Sequence, residues 1–216
     1  AFGTLAHDVL HRFGQSELCD SDDGDAIAEL LSDTLDQLAA ARFGQNNAHT
    51  SVRIQQEQLR QRLRDFARCQ GELAQAGWRI IATERDVEAK IDVDGGPFTL
   101  TGRIDRIDYH PELGYRIVDY KTSDRARTPS QTHRGRDEQG QRVWCDLQLP
   151  LYQTLAEAIP INEPAALGYF NLPKQAKEAG VSLAGWDEPM LNEAMSLRDQ
   201  IVRDIRAHRF WPPGPA

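Results

Sequence analysis

Two stretches hold residues whose types and spacing could do chemistry: Gly102-Arg-Ile-Asp105-Arg-Ile-Asp108 and Ile117-Val-Asp119-Tyr-Lys121-Thr122. In Asp119-Tyr120-Lys121 the first and third residues fall on one face of a strand, because side chains alternate with a period of two. A carboxylate and an ammonium then sit side by side. A second carboxylate on a neighbouring strand could share a hard divalent cation with Asp119, and Mg2+ prefers such oxygen ligands. A cation so held polarises a phosphate and lowers the pKa of an attacking water. The ammonium can orient that water or stabilise charge growing on the phosphate. The chemistry such a set suits is hydrolysis of a phosphodiester. A lone Asp-x-Lys is usually a surface ion pair, but this one ends an apolar strand and faces an Asp-bearing strand across a hairpin. Asp108 competes with Asp105; lying three residues on, it faces the other side of the strand, which favours Asp105.

The elements that must position these residues follow from periodicity. Residues 3–13 read as a short helix. Asp22, Asp23 and Asp25 offer N-caps for a second helix to about Arg42, with Ile27, Leu30, Leu31, Leu35 and Leu38 on one face. Gly44-Gln-Asn-Asn breaks it. Thr50 or Ser51 can cap a third helix ending near Gly77, which buries Leu59, Leu63 and Phe66 and exposes Arg53, Arg60, Arg62, Arg64 and Arg68. Trp78 to Lys90, Phe98 to Tyr109 and Tyr115 to Tyr120 are rich in Ile, Val, Thr and aromatics and read as three strands, the last two joined as a hairpin. A polar loop covers 122–142, residues 144–159 look helical, and Ala165 to Leu172 form a fourth strand. Asp187-Glu-Pro189 opens a final helix to about His208, and Trp211-Pro-Pro-Gly-Pro ends the chain as an extended tail. The order predicts an α/β fold: a central mixed sheet of about four strands, helices on both sides, and an N-terminal helical segment. With no repeat and no domain-sized linker, residues 1–216 read as one domain. It divides into a mainly helical part (1–77), a sheet core (78–172) and a C-terminal helix (187–208).

Composition bounds the partners. No run reaches the ~20 apolar residues of a membrane span. Cys19, Cys69 and Cys145 are odd in number and far apart, with no Cys-x-x-Cys pair. This favours a reducing, cytoplasmic setting without disulfides, a zinc ribbon or an iron–sulfur cluster. The opening residues show no charged segment before an apolar run, and the chain starts without Met inside a helix, as expected of a domain cut from a longer polypeptide. A net charge of -8 argues on its face against nucleic acid. The distribution answers that objection: eight acids and no Lys or Arg lie between Phe13 and Ala41, whereas residues 121–142 carry six basic residues against three acids. Arg125, Arg127, Arg134 and Arg136 are therefore candidates to touch a phosphate backbone. Tyr109 and Trp144 could stack on bases, although aromatic residues beside a sheet are more often core.

These stretches resemble the PD-(D/E)XK nucleases, with Asp105 at the first motif position and Asp119-Tyr120-Lys121 as the (D/E)-x-K. The wording is similar to the RecB-like branch in particular. Three more pieces agree. Gly3-Thr-Leu-Ala-His7-Asp-Val-Leu-His11 resembles the N-terminal helix motif of that branch, whose first His is a metal ligand. Glu84 resembles its acidic residue on the first strand. Asp146-Leu-Gln148-Leu-Pro-Leu-Tyr152 resembles its Gln-x-x-x-Tyr helix, and residues four apart share a helix face. The resemblance runs from residue 3 to about 172. It implies a restriction-endonuclease-like core that hydrolyses DNA with Mg2+ or Mn2+, with His7, Asp105 and Asp119 on the metal and Glu84 as outer or second-metal support. Lys121 would act on the water, and Gln148 and Tyr152 would contact the site or the DNA backbone. It also implies exonuclease action on single-stranded ends fed by a helicase domain or subunit, in double-strand break repair. Pro150 fits beside Gln148 only if the helix begins near Asp146. Two other readings differ in kind. A nuclease fold kept as a silent scaffold for DNA or a partner would normally have lost one of these residues. A zinc hydrolase could use His7 and His11, which share a helix face at i and i+4, but has no job for Asp105, Asp119 and Lys121.

Overall fold

A computed structural model describes residues 2–44, 49–161 and 163–210. Three helices come first: α1 (Phe2–Gly14), α2 (Gly24–Phe43) and α3 (Thr50–Gln75). They are followed by β1 (Arg79–Val93), β2 (Gly96–His110), β3 (Gly114–Lys121), α4 (Pro129–His133), β4 (Arg134–Arg136), β5 (Arg142–Trp144) and α5 (Gln148–Ala156). The chain then runs through β6 (Ala166–Asn171), a 3-10 turn (Ala176–Glu178), β7 (Gly180–Leu183) and α6 (Glu188–Arg206). The predicted tail from Trp211, and all of the predicted break after Gly44, lie outside the described residues.

The sheet has five strands in the order β1-β2-β3-β6-β7. Only β3 and β6 pair in parallel; the other pairs are antiparallel. The mixed α/β sheet is as expected, with β7 as a strand that the apolar pattern did not signal: Gly180-Val-Ser-Leu183 is too short and polar to stand out. The first two strands also form a hairpin. Its turn, Asp94-Gly95, has φ of 54° and 75°, the left-handed pair that a two-residue turn between twisted strands requires. The polar loop after Lys121 is built up further than expected, with α4 and a small β4–β5 hairpin. The helix expected over 144–159 is shorter, because Trp144 is taken up by β5 and Asp146 Oδ1 accepts the Gln148 N–H at the start of α5. Pro150 then lies in the first turn, where the missing N–H is harmless.

Each face of the sheet has its own core. On one side Val118, Tyr120 and Phe170 pack against Leu5, Val9 and Phe13 of α1, Ile27 and Leu31 of α2, and Leu59, Leu63 and Phe66 of α3. On the other, Ile104, Ile107, Ile117 and Tyr169 pack against Leu149, Tyr152 and Leu155 of α5. Asp23 caps α2 by accepting the Asp25 and Ala26 N–H groups, and Asp187 caps α6. α3 departs from expectation: it starts at Thr50 with His49 as N-cap and no side-chain cap bond. A Cβ on Gly14 would collide with the Thr83 side chain, so the end of α1 can lie against β1 only because residue 14 is glycine.

Arg62 overturns its sequence reading. It is 3% exposed, with its guanidinium stacked 5.1 Å from the Phe2 ring. It donates to the carbonyls of Thr122, Ser123 and Leu172 and to Asp124 Oδ1. Position 62 lies within the Leu59–Leu63–Phe66 stripe, so helical spacing put it inside; residue type alone suggested otherwise. One side chain thus ties α3 to the ends of β3 and β6, just past Lys121. Arg62→Met leaves three carbonyls short of a donor and should lower the unfolding free energy by about 2–3 kcal/mol. Exposed Arg64→Met should stay within about 0.5 kcal/mol of the parent, and urea unfolding of both variants checks the contrast.

Candidate active site

The site forms where β2 and β3 part. Their ladder runs from His110↔Gly114 to Arg106↔Val118. Just beyond it, Asp105 Oδ2 accepts the Tyr120 N–H at 2.9 Å, so a carboxylate takes the place of a backbone carbonyl. α1 brings in His7, whose Nδ1 lies 3.0 Å from Glu84 Oε1 and 3.6 Å from Asp105 Oδ2. Glu84 sits on β1 with φ of 47°, a left-handed conformation that is strained for this residue type and tends to occur at functional sites. His7, Glu84 and Asp105 offer ligand atoms that all lie within 4.8 Å of one another, the one such His/Cys/Asp/Glu group among the described residues.

Asp119 stands beside this cluster, held by α5. Gln148 Nε2 donates to its Oδ1 at 2.6 Å, and the Tyr152 hydroxyl reaches the same oxygen at 3.4 Å. Lys121 Nζ is 2.7 Å from Oδ2. The (D/E)-x-K pair is therefore side by side as the strand period required, and Gln148 and Tyr152 touch it as one helix face. Glu84 differs from its expected place: it is a member of the tight His7–Glu84–Asp105 group, while Asp119 lies outside that group.

The electrostatics follow from crowding acids in a partly buried place. Burial, then the neighbouring Asp119 charge, pushes the Asp105 carboxyl up to about 7, against the lowering effect of His7 and the Tyr120 N–H. Burial alone would lower the His7 imidazole, but the hydrogen bond to Glu84 and the charges of Asp105, Glu84 and Asp119 raise it overall. Burial beside Asp105 and Asp119 raises the Tyr152 hydroxyl, so it stays a donor. Crowded carboxylates beside an imidazole suit a divalent cation, which offsets the repulsion between the acids by binding.

Other expected residues separate. Asp108 is fully buried on the opposite face, bridging Arg106 and Arg116, so it stands apart from the carboxylates near His7. His11 points its Nδ1 at Thr83 Oγ1, 2.9 Å away, and does not join the carboxylates, so the two-histidine zinc reading loses its second ligand. Arg125, Arg127 and Arg136 are exposed. Arg134 is not free: its side chain is 13% exposed, paired with Glu193 and set 5.4 Å from the Trp144 ring. Trp144 is buried against Trp186 and presents no free face to a base, and Tyr109 packs on Tyr115. Missed in the sequence were Arg103, Tyr169, His133 and Asp146. Arg103 shares the strand face of Asp105 and lies 3.9 Å from Glu84 Oε2; alternation within Gly102-Arg-Ile-Asp105 was the signal for it.

A mixed sheet with helices on both faces, carrying an Asp and an Asp-x-Lys at the parting of two strands, defines a restriction-endonuclease-like nuclease fold. The chain matches the PD-(D/E)XK nuclease superfamily over residues 1–214 and belongs to it. Members of this superfamily generally use divalent metals. No curated protein matches the chain. No helix among the described residues is long and apolar enough to cross a membrane.

A raised carboxyl pKa ties the site to stability. Between the ordinary Asp pKa and about 7 the folded protein holds a proton on Asp105 that the unfolded chain releases. That stability is full below the ordinary value and is lost as pH rises through about 7; the raised His7 acts in the same direction. In EDTA the melting temperature should therefore fall between pH 5 and pH 8. Asp105→Asn should flatten that fall and melt about 2–4 °C higher than the parent at pH 8, for roughly 1 kcal/mol gained. Calorimetric scans across that range check it, with an equal slope in both proteins counting against the assignment.

Proposed function

We propose that the chain is a DNA exonuclease domain of the RecB-like type, dependent on Mg2+ or Mn2+. It would act on single-stranded ends delivered by a helicase domain or subunit of the same cytoplasmic double-strand break repair machine. The observation that carries this reading is the His7–Glu84–Asp105 cluster set against the Asp119–Lys121 pair. The RecB-like wording of the motifs supports the branch and, through it, the helicase and the repair role. A silent scaffold has no use for a complete set under such electrostatic strain.

His7, Asp105 and Asp119 hold the cation, with Glu84 closing the cluster. A divalent cation bound there supplies Lewis acidity toward the phosphate and lowers the pKa of the attacking water. Gln148 and Tyr152 fix the Asp119 carboxylate from one side. The Lys121 ammonium, a donor of three protons, orients the water and stabilises charge developing on the phosphate oxygens. Exposed Arg125 and Arg127, next to the end of β3, guide the DNA backbone.

Asp119→Asn and Lys121→Met should fail differently. Asp119→Asn exchanges a charged ligand for a neutral amide, so calorimetric Mn2+ affinity and single-turnover cleavage of labelled single-stranded DNA should fall together. Lys121→Met removes a positive charge beside the cation, so Mn2+ affinity should hold or rise while cleavage falls by about a hundredfold or more. EDTA should abolish cleavage by the parent, and Ca2+ should bind without supporting turnover. A Lys121→Met protein that cleaves at the parental rate would overturn the assignment.

The phosphate-contact role has its own measurement. Replacing Arg125 and Arg127 with Gln should weaken DNA binding equally for unrelated sequences and reduce the slope of log K against log salt by about two. An unchanged slope assigns these arginines to plain solvation.

A further inference from the structure

Behind Lys121 lies a buried polar chain that the site chemistry does not itself use. Tyr169 is fully buried on β6 and pairs in register with Asp119. Paired residues of a parallel ladder face the same way, so its ring lies alongside the Asp119–Lys121 face. The Lys121 Nζ stands 4.8 Å from the centre of that ring, within reach of a cation–π interaction. The Tyr169 hydroxyl is 2.6 Å from His133 Nε2. His133 is also fully buried, and its Nδ1 lies 2.8 Å from the Asp146 carbonyl oxygen. A carbonyl can only accept, so Nδ1 carries a proton, and it also lies 3.3 Å from the Asp146 carboxylate. Trp186 packs edge-on against the imidazole, 5.4 Å away.

The far end of the chain returns to the site. Asp146 Oδ1 accepts the Gln148 N–H at 2.7 Å, and Gln148 joins Asp119 and Lys121 through its two amide atoms. His133 therefore holds two supports of one ammonium: the ring under it, through the Tyr169 hydroxyl, and the amide beside it, through Asp146.

We propose that Tyr169 and His133 are positioning residues for Lys121. The aromatic ring is a platform for the ammonium, and the Tyr169–His133–Asp146 chain locks both the platform and the first turn of α5. The inference rests on the nuclease reading for its effect on rate and on geometry alone for the placement of Lys121.

Two measurements test it. In single-turnover cleavage with Mn2+, Tyr169→Phe keeps the ring and His133→Gln keeps polar atoms in the core. Each should slow the reaction by about ten- to a hundredfold, the range for losing a supporting partner, with DNA affinity unchanged. In a Lys121→Met background neither change should slow it further, because the effect passes through the ammonium. Equal losses in both backgrounds, or a parental rate in Tyr169→Phe, would overturn the proposal. The second measurement needs no turnover. The chain has four lysines, Lys90, Lys121, Lys174 and Lys177. The ε-methylene resonance of Lys121, assigned by its loss in Lys121→Met, should lie upfield of the other three because of the Tyr169 ring current. It should rejoin them in Tyr169→Leu. If it sits among them in the parent, the platform does not exist. If the parent fails to cleave DNA while the upfield shift is present, the nuclease reading falls and the placement of Lys121 stands.

Discussion

Three carboxylates, Glu84, Asp105 and Asp119, are held in one partly buried place against their own repulsion, and much of the surrounding structure exists to hold them there. Each is restrained by a different partner. Glu84 is met by His7 from α1, Asp105 by the Tyr120 N–H where the ladder ends, and Asp119 by Lys121 and the Gln148 amide. The restraints come from three elements far apart in sequence, α1, β3 and α5, so no single element makes the site. The raised pKa of Asp105 reflects its burial first and the neighbouring Asp119 charge second. It is the kind of imbalance that a bound cation corrects, which is why a site can be costly to fold and still suited to its ligand.

The same strand manages charge on its other face. Asp108 lies between Arg106 and Arg116, all three buried. Arg116 also stacks 3.8 Å from the Trp78 ring, and Arg106 lies 5.4 Å from that of Phe170. Burial pushes the nearby Tyr120 hydroxyl up to about 12, so it stays neutral beside the guanidiniums. A register slip of one residue would exchange the two faces of β2, turning Asp105 away from the site and Asp108 away from its arginines. The buried ion pairs penalise that slip, because Arg116 on β3 would lose the Asp108 carboxylate in a place water does not reach. The alternation of Asp105-Arg106-Ile107-Asp108 therefore encodes register as well as chemistry.

The fold and much of the site were legible because their signals are local. Period-two alternation placed Asp119 and Lys121 on one face, and the same rule chose Asp105 over Asp108. Helical spacing paired Gln148 with Tyr152. What escaped depends on contacts between distant segments. Arg62 was read as surface because arginine usually is, although its stripe pointed inward. Arg134 was read as a free cation because its partner, Glu193, lies 59 residues away. His133 stood in a stretch read as polar loop and Asp146 in one read as helix, and only the folded β4–β5 hairpin brings them together. The Glu84 backbone, turned to positive φ within a strand, leaves no mark in residue type.

The pairing of β3 with β6 has a consequence for how the protein comes into being. Lys121 and its partner Asn171 are joined across a long excursion through α4, β4, β5 and α5. A nascent chain that has left the ribosome as far as Lys121 already contains His7, Glu84, Asp105 and Asp119, yet β3 still has an open edge. Gln148 and Tyr152 have not yet arrived, and the carbonyls of Thr122 and Leu172 cannot both meet Arg62. Closing so long a loop comes late in folding, after the local hairpins. The growing polypeptide thus carries its acids before it carries α5, which fixes Asp119, and before it carries β6, which covers the edge of β3.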